Sequence, residues 1–347
     1  MSENIINLPT SIPLLRDQQQ RPLSDLRISV MDRCNFRCPY CMPEDKYHEH
    51  FKFLDSTERL SFDEIVRVTR LFAGLGVSKI RITGGEPLLR PGLTDLIGDL
   101  SRIEGIEDIA LTSNGILLGQ HAAALRAAGL NRVTVSLDSL DDEVFSLMSG
   151  GRGSKDRVLA GISEAAQAGL MPIKINTVIK RGVNNQGALE LVEYFRGSDV
   201  IVRFIEYMDV GTINHWQETD TVPSAELVQH ISQRWPMTPV ERNYHGEVAS
   251  RYRFLDGQGE VGFISSVSDP FCGSCTRIRL SSDGQLFTCL FATAGTDLKG
   301  PLRDGINDNE LLQIIGRVWG AREDRYSEVR AEQGGSDKKV EMYYIGG

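Results

Sequence analysis

The sequence lacks any apolar run long enough to cross a membrane, and it carries no excess of positive charge. A membrane helix needs roughly 20 consecutive apolar residues, and a signal peptide needs a charged start followed by an apolar stretch. Neither pattern occurs, so we expect a cytoplasmic protein without a membrane partner. The formal net charge of −9 argues against a broad nucleic-acid surface. We therefore expect no nucleic-acid partner, although a local group of arginines could still hold a small anion.

Cysteine is also scarce, but all 6 cysteines fall into two triplets. The first triplet has the spacing CxxxCxxC, and the second is a CxxC followed by a third cysteine after a Ser-Ser-Asp-Gly turn. The triplets are Cys34, Cys38 and Cys41, and Cys272, Cys275 and Cys289. A [4Fe–4S] cluster normally takes four thiolates, so three would leave one iron open to a ligand that is not protein. We predict two such clusters.

Two other interpretations of the cysteines stay open at this point. An even number of cysteines is compatible with three disulfides, although disulfide frameworks are typical of short secreted chains. CxxC is also a zinc spacing. A zinc ion at the second triplet would need a fourth ligand, and His245 is the only histidine nearby in the sequence.

Strand-like and helix-like segments alternate along the first two thirds of the chain. Strands are expected at 26–30, 79–83, 108–112, 132–137, 172–179 and 200–207, and helices at 62–75, 93–103, 119–128, 156–168 and 186–196. Such alternation indicates parallel strands joined by right-handed crossovers. We predict an α/β fold, an incomplete (β/α)6 TIM-like barrel whose functional groups collect at the C-terminal ends of the strands. A doubly wound open sheet is the alternative.

Composition divides the chain into three predicted parts. Residues 1–24 contain Gln18–Gln20 and several prolines without periodicity, so we expect a flexible N-terminal tail. Residues 25–215 form the predicted barrel. Residues 216–347, with shorter strand-like segments and the second cysteine triplet, are expected to form a smaller C-terminal domain that covers the open side of the barrel.

A Gly-Gly-Glu-Pro motif at 84–87 directly follows the second predicted strand. Paired glycines let backbone approach a ligand closely, although such a pair alone usually marks only a turn. Together with CxxxCxxC and the aromatic Tyr40 before its last cysteine, the motif resembles the radical S-adenosylmethionine (SAM) superfamily. The second triplet, the segment Arg277–Arg279 and the Gly-Gly pair at 346–347 resemble, more specifically, the GTP 3′,8-cyclase (MoaA) family of molybdenum cofactor biosynthesis. The resemblance extends from about Leu26 to Gly347.

The resemblance implies a role for each matching residue. The first triplet would bind the [4Fe–4S] cluster that holds SAM, and the second a [4Fe–4S] cluster whose open iron meets the guanine base. The implied SAM contacts are Tyr40, Gly85, Ser136 and Met208. The implied GTP contacts are Arg27, Arg81, Thr112, Lys174, Arg277, Ile278 and Arg279, and Lys79 and Arg203 are expected to face the same cavity. Groups expected to assist catalysis are Arg27, Arg277, Arg279, Gly346 and Gly347.

The resemblance also implies an activity and its partners. The protein would be a lyase that converts GTP to 3′,8-cyclo-7,8-dihydro-GTP, the first step of molybdenum cofactor biosynthesis. A 5′-deoxyadenosyl radical would take hydrogen from ribose C3′, and the carbon radical would attack C8 of the guanine. The implied partners are a flavodoxin- or ferredoxin-like electron donor and a downstream cyclic pyranopterin monophosphate synthase, and a homodimer is a further expectation. The Gly-Gly pair is expected to enter the cavity; a frayed end is the alternative.

Basic residues within the predicted strands support an anionic ligand on physical grounds alone. Arg and Lys are seldom fully buried unless paired, and charge-assisted bonds to phosphate are strong. Cations that point into a barrel therefore predict an anion site, whereas the alternative is that each faces outward or pairs with an acidic residue. These residues are Arg27, Lys79, Arg81, Lys174 and Arg203.

Two other functions stay open. One is a different radical SAM enzyme, such as a peptide-modifying maturase with an auxiliary cluster, whose C-terminal region usually contains more cysteines. The other is a regulatory protein that depends on a cluster or on zinc. Such a protein would need neither the Gly-Gly-Glu-Pro motif nor basic residues directed at one cavity.

Overall fold

The computed structural model describes residues 15–333 and 338–347, and its strands form one sheet. In chain order the strands are Asp25–Ser29 (β1), Lys79–Thr83 (β2), Asp108–Ser113 (β3), Arg132–Ser136 (β4), Lys174–Ile179 (β5), Ile201–Glu206 (β6), Met237–Val240 (β7), Ser250–Phe254 (β8), Glu260–Ile264 (β9), Arg277–Leu280 (β10), Gln285–Phe287 (β11) and Thr296–Asp297 (β12). The 12-stranded sheet has the order β12-β11-β10-β1-β2-β3-β4-β5-β6-β9-β8-β7.

Helices connect most of these strands. They are Phe62–Gly74 (α1), Leu93–Ser101 (α2), Leu118–Ala127 (α3), Asp142–Ser149 (α4), Lys155–Gln167 (α5), Ala188–Phe195 (α6), Ser224–Arg234 (α7), Lys299–Arg303 (α8), Asp308–Gly320 (α9), Tyr326–Gln333 (α10) and Met342–Ile345 (α11). A capping box between Ser61 and Glu64 starts α1, as its sequence predicts. In the part of the chain that the structure describes, no helix is both long and apolar enough to span a membrane.

The first six strands confirm the predicted α/β architecture. Strands β1 to β6 are parallel and neighbour one another in chain order, as expected of an incomplete (β/α)6 barrel. Leu26 and Ile28 of β1 are fully buried in the hydrophobic core. Because successive side chains in a strand point to opposite faces, Arg27 lies on the other face, which forms the inside of the barrel.

The C-terminal part of the chain extends this sheet at both edges. Strand β10 pairs in parallel with β1, and β9 pairs in parallel with β6. The segment that the sequence predicts to be a covering domain therefore shares its backbone hydrogen bonds with the barrel on both sides. The boundary at 215/216 stays a prediction.

The N-terminal segment is more ordered than the sequence suggests. Residues 1–14 lie outside the described residues, so the predicted tail is not addressed there. Between 15 and 24, however, Leu23 is 0% exposed, and Arg21 forms a buried ion pair with Asp17. An ion pair and a buried leucine thus attach this stretch to the body of the protein, and the flexible tail at 1–24 stays a prediction.

Candidate active site

The first cysteine triplet lies in the loop between β1 and α1, at the C-terminal end of β1. All three cysteines are half-buried free thiols and line one cavity of ≈ 170 Å³. Within the loop, the backbone N–H groups of Cys41 and Met42 both donate to the carbonyl oxygen of Cys38, at 2.9 and 2.8 Å. This tight turn directs three sulfur ligands at the same space.

The paired glycines hold the cysteine loop against the sheet. A Cβ atom at Gly84 would lie 2.3 Å from the carbonyl oxygen of Met31, and one at Gly85 would lie 2.3 Å from that of Arg33. Gly85 N–H donates to the Met31 carbonyl at 2.7 Å, and Glu86 N–H donates to the Arg33 carbonyl at 2.8 Å. Only glycine allows this approach, so the motif positions the loop as well as lining the cavity.

Glu86 of the same motif joins the ends of β2 and β3. Its carboxylate accepts hydrogen bonds from the backbone N–H of Asn114 at 2.8 Å and from the Ser113 hydroxyl at 2.9 Å. Burial raises the pKa of Glu86 to about 7, although these donors and the Leu88 N–H oppose the shift. This fully buried carboxylate therefore fixes the cavity wall.

The residues predicted to contact SAM divide between two cavities. Tyr40, Gly85 and Ser136 line the cysteine cavity, and the Tyr40 hydroxyl donates to Asp138 Oδ2 at 2.8 Å. Met208 instead lines the neighbouring cavity. Burial raises the pKa of Asp138 to about 6, and this acceptor fixes the direction of the Tyr40 ring.

The chemistry of the first triplet fits an iron–sulfur cluster. Burial, and to a lesser degree the charge of Glu86, raises the pKa of Cys34 to about 11. Burial followed by the charges of neighbouring cysteines also raises the pKa of Cys38 and Cys41. Thiols that resist ionisation by themselves need bound cations to become thiolates. Soft sulfur ligands of this kind suit iron–sulfur clusters.

A second cavity, also of ≈ 170 Å³, is lined by cations from the inner face of the sheet. Arg279 of β10, Arg27 of β1 and Arg81 of β2 lie side by side in the parallel register. The full set of cations in the lining is Arg27, Lys79, Arg81, Arg132, Arg203, Arg277 and Arg279. In the described residues, Asp25 is the one acidic side chain of this lining against seven basic ones, so positive charge is in excess.

The cations lower one another's pKa because they are buried together. Burial and the charges of Arg279, Arg277 and Arg81 hold the pKa of Arg27 well below its ordinary value. Burial and the charges of Arg81 and Arg132 lower the pKa of Arg203 to about 9. Such mutual repulsion is relieved by an anion that binds between them.

Two N–H donors in this cavity have no partner within the residues that the structure describes. The Nε atoms of Arg203 and Arg277 are buried and make no hydrogen bond in the described structure. Among the cations of the lining, and within residues 15–333 and 338–347, only Arg132 forms an ion pair, with Asp108. The alternative that the strand cations face outward or pair with acids is therefore wrong for Arg27, Arg81 and Arg203. Buried polar groups are normally satisfied, so these donors fit a ligand.

The remaining predicted GTP contacts are placed as follows. Thr112 lines both cavities, and its hydroxyl accepts a hydrogen bond from Arg81 Nη1 at 3.1 Å. Burial and the charges of Arg203 and Arg132 lower the pKa of Lys174 to about 7, although Lys174 is not part of the cavity lining. Ile278 is 0% exposed in the hydrophobic core. It lies on the opposite face of β10, so its side chain does not reach the cavity.

The second cysteine triplet lies beside the basic cavity, around the start of β10 and the end of β11. Arg277 Nη2 donates to the sulfur of Cys275 at 3.1 Å. Burial opposes ionisation of Cys275, but the charges of Arg277 and Arg322 outweigh it and lower its pKa to about 6. Burial and the charge of Asp324 raise the pKa of Cys289 to about 12. Two guanidinium groups thus stabilise one thiolate of this triplet.

The alternative interpretations of the cysteines gain no support. All six cysteines are free, so the disulfide interpretation is wrong. In the described parts of the chain, no group of three or more His, Cys, Asp or Glu side chains is arranged to hold a metal ion, so no fourth ligand for zinc is identified beside the second triplet.

The two cavities share a wall that includes the last residue of the sequence. Gly347 lines both cavities, together with Asn176 and Met342. The carbonyl oxygen of Gly346 accepts a hydrogen bond from Arg279. A Cβ atom at Gly346 would lie 2.3 Å from Cγ2 of Thr83, so a side chain would not fit there. The segment Met342–Gly347 therefore lies between the two candidate ligand sites.

Sequence reasoning missed two residues of the basic cavity. Arg132 occupies an inward-facing position of β4, and the strand alternation that identified Arg81 could have identified it. Tyr244 lies in the loop between β7 and β8, where its ring contacts Lys79 Nζ, 3.1 Å from the ring centroid. That loop has no periodicity, so the sequence contains no signal for Tyr244.

Comparison with known proteins agrees with this arrangement. Residues 28–195 match the model of the Radical SAM superfamily, and residues 200–328 match that of Molybdenum Cofactor Synthesis C. A "GTP 3',8-cyclase" from Xanthomonas campestris pv. campestris (strain 8004) is 54% identical over 96% of this chain and 97% of its own length. Proteins of the same name from Acidothermus cellulolyticus and Staphylococcus aureus (strain MRSA252) are 48% and 46% identical, each over 96% of this chain and 99% of their own length.

Solved structures of low sequence identity share the fold. Methylornithine synthase (PylB) aligns with a TM-score of 0.52 at 15% identity, over 90% of this chain and 86% of its own. A complex named "Native anSMEcpe with bound AdoMet and Cp18Cys peptide" also aligns with a TM-score of 0.52, at 14% identity, over 93% and 94%. Two family models, close full-length relatives and this shared fold lead to one conclusion. The chain belongs to the GTP 3′,8-cyclase family of the radical SAM superfamily, whose members use a [4Fe–4S] cluster and SAM.

Proposed function

We propose that this protein is a radical SAM GTP 3′,8-cyclase. It converts GTP to 3′,8-cyclo-7,8-dihydro-GTP in the first step of molybdenum cofactor biosynthesis. The observation that carries the proposal is a row of cations beside the cysteine cavity that have no ion-pair partner in the described residues: Arg279, Arg27 and Arg81 lie in register on three adjacent strands. A triphosphate supplies the negative charge that these groups lack in the protein.

The first cysteine triplet is the proposed site of the SAM-binding cluster. Cys34, Cys38 and Cys41 would hold the cluster, and Tyr40, Gly85 and Ser136 line the same cavity and would border SAM. Bound there, SAM supplies the chemistry for hydrogen abstraction from ribose C3′ after one-electron reduction. The protein supplies orientation, because the glycine contacts and Glu86 fix the loop against β2 and β3.

The basic cavity is the proposed GTP site. Arg27, Arg81 and Arg203 neutralise the triphosphate, with Lys79 and Thr112 at its border, while Arg277 and Arg279 lie nearest the second triplet. Lys174 lies outside the lining, two positions before the lining residue Asn176 on the same face of β5, and is proposed to add its charge from there. Hydrogen bonds between charged groups contribute about 1.5 to 3 kcal/mol each. Clamping the two ends of GTP brings C3′ and C8 of one molecule together, so the ring closure benefits from proximity. Met208, which borders this cavity, is proposed to contact SAM across the shared wall.

A second [4Fe–4S] cluster is proposed at Cys272, Cys275 and Cys289, which would hold it by three thiolates and leave one iron available to the guanine base. The position of this triplet beside Arg277 supports the proposal. Gly346 and Gly347 are proposed to assist catalysis from the shared wall. Their lack of side chains supports this role, because Thr83 and Met342 leave no room for a Cβ atom.

The finer parts of the function are proposals drawn from the family. They are lyase chemistry, an electron donor of the flavodoxin or ferredoxin type, a downstream cyclic pyranopterin monophosphate synthase, a homodimer and a cytoplasmic location. The division into a barrel at 25–215 and a covering unit at 216–347 belongs with them. A peptide-modifying maturase is not favoured, since the close full-length relatives are cyclases and the cavity is strongly cationic.

An anaerobic assay tests the proposal. The reconstituted protein is incubated with SAM, a chemical reductant and GTP, and the products are identified by mass spectrometry. The proposal predicts 5′-deoxyadenosine together with a cyclised nucleotide that retains the triphosphate. Abundant 5′-deoxyadenosine without any altered nucleotide would refute it and favour another radical SAM reaction.

A further inference from the structure

The three cysteines of the second triplet differ in what donates hydrogen bonds to their sulfur atoms. Cys275 Sγ accepts N–H groups from two guanidinium groups, Arg277 Nη2 at 3.1 Å and Arg322 Nη2 at 3.2 Å. Cys272 and Cys289 receive backbone N–H groups instead. Two fixed positive charges are therefore concentrated on one sulfur of the triplet.

Arg322 is held in place by every nitrogen of its side chain. Nη1 donates to the carbonyl oxygen of Cys275 at 2.8 Å, so one guanidinium group contacts both the sulfur and the backbone of that cysteine. Nε donates to the carboxylate of Asp324 at 3.2 Å, and the side chain is only 1% exposed. The guanidinium also lies over the Trp319 ring, 4.5 Å from its centroid. These contacts hold the guanidinium group against the sulfur of Cys275.

The N-terminal segment supports the same site from the other side. Arg21 Nη1 donates to the carbonyl oxygen of Cys272 at 3.0 Å and to that of Asp324 at 2.9 Å. Asp17 pairs with Arg21 and lies 3.6 Å from Arg322 Nη1. Residues 17–21 thereby link the backbone of Cys272 to the residues that hold Arg322.

Arg277 and Arg322 face different surroundings. Arg277 lines the basic cavity and keeps a buried Nε without a partner in the described structure, so it is available to a ligand as well as to Cys275. Arg322 does not line that cavity, and its donors are all directed at Cys275 and at carboxylates. Arg322 can therefore act on the cysteine site whether or not nucleotide is bound.

We propose that Arg322 is a positioning residue for the second cluster, which it orients and tunes through Cys275. The inference rests on the second cluster of the proposed function. A reduced cluster carries one more negative charge than an oxidised one, so N–H donors to its thiolate sulfur favour the reduced state and raise the reduction potential. Arg322 supplies such a donor as a fixed part of the fold.

The test is the reduction potential of each cluster in the full chain, reconstituted anaerobically and followed by electron paramagnetic resonance. Arg322→Met retains the apolar part of the side chain and removes the charge. We expect a lower potential for the second cluster and an unchanged potential for the first, which serves as an internal control. Cys38→Ala gives a background in which the second cluster is observed alone. Arg317→Met is the matched control, because Arg317 is exposed and its Nε donates to the carbonyl oxygen of Gln313 on the same helix, so neither potential should shift.

Each outcome decides one claim. Full iron content with an unmoved second potential in Arg322→Met would overturn the inference and leave the proposed function intact. If the wild-type protein binds only enough iron for the first cluster, the proposal of a second cluster is wrong, and this inference is wrong with it. Should Arg322→Met lose the second cluster, Arg322→Lys decides, because lysine retains a charged donor. A recovered second cluster in Arg322→Lys supports the inference, and renewed loss of the cluster despite the charged donor overturns it.

Discussion

Arg27 of β1 lies directly opposite Arg279 of β10 in the parallel register, so two guanidinium groups share the inner face where the barrel meets the C-terminal strands. Burial and then the charge of Arg279 lower the pKa of Arg27. In the described residues neither arginine has an ion-pair partner. Folding therefore brings together cations that repel each other, and a bound anion offsets this cost.

Removing one of these cations should separate stability from nucleotide binding. Arg203→Met eliminates a buried charge whose Nε has no partner in the described structure. We expect the nucleotide-free protein to be unchanged or more stable, by on the order of 1 kcal/mol, and the rise in Tm caused by GTP to shrink. Thermal unfolding with and without GTP measures both. Arg234→Met, which breaks an exposed pair with Glu193, should alter stability by less than about 0.5 kcal/mol and leave the GTP effect intact. A full GTP effect in Arg203→Met would contradict the anion site.

Lys174 should make GTP affinity depend on pH. Burial and the charges of Arg203 and Arg132 lower its pKa from 10.5 to about 7. Above pH 7 the unfolded chain retains this proton and the folded protein loses it, so the stability of the nucleotide-free protein rises with pH up to about 10. GTP favours the charged amine, so its affinity should fall above pH 7, by up to about tenfold per pH unit. Equilibrium dialysis measures the affinity. Lys174→Arg should bind GTP with little pH dependence. An equally steep fall of its GTP affinity above pH 7 would show that a group other than Lys174 causes the pH dependence.

The Gly-Gly segment should tolerate no side chain. In Gly346→Ala the new Cβ would lie 2.3 Å from Thr83 Cγ2 at a backbone φ of +74°, so the segment must move out of the shared wall. We expect cyclised product to fall at least tenfold while GTP still binds. Thr83→Ser removes the clashing methyl group and should restore part of the activity in the double variant. Gly316→Ala, with nothing within 4 Å of its Cβ, is the control. Undiminished turnover in Gly346→Ala, or after deletion of both glycines, would favour the alternative that residues 346–347 are a frayed end without a role in catalysis.

Cys275 should be the most reactive thiol of the cluster-free protein near neutral pH. The charges of Arg277 and Arg322 overcome burial and lower its pKa to about 6, whereas burial raises the pKa of Cys34 to about 11 and that of Cys289 to about 12. Thiolates are the nucleophilic form. Brief alkylation with a small reagent, followed by peptide mass analysis, should modify Cys275 first. Preferential modification of Cys34 or Cys289 would contradict this charge assignment.

The sequence predicted those features that depend on local pattern. Each of these features depends on residues close together in the sequence: the cysteine spacings, the alternation of β1 to β6 with helices, and the start of α1 at its capping box. The inward face of β1 and β2 also follows from alternation, because Leu26 and Ile28 alternate with Arg27.

Features that depend on distant contacts could not be predicted in this way. Leu23 looks like part of a polar tail, and only its packing in the core shows that the segment is ordered. Arg322 and Cys275 are 47 positions apart, and no periodicity connects them. Strand β10 is short and has an arginine at every second position, so its sequence predicts a strand only weakly. Its parallel pairing with β1, a contact between distant parts of the chain, is what identifies it as a strand.

The account depends most on a nucleotide held so that its ribose C3′ faces the first cysteine triplet. The most direct measurement uses GTP with deuterium at C3′, in the anaerobic reaction with SAM, and determines the isotope content of the 5′-deoxyadenosine by mass spectrometry. The account predicts deuterium in 5′-deoxyadenosine and its loss from C3′ of the nucleotide product. Unlabelled 5′-deoxyadenosine, formed alongside nucleotide that retains its deuterium, would contradict it.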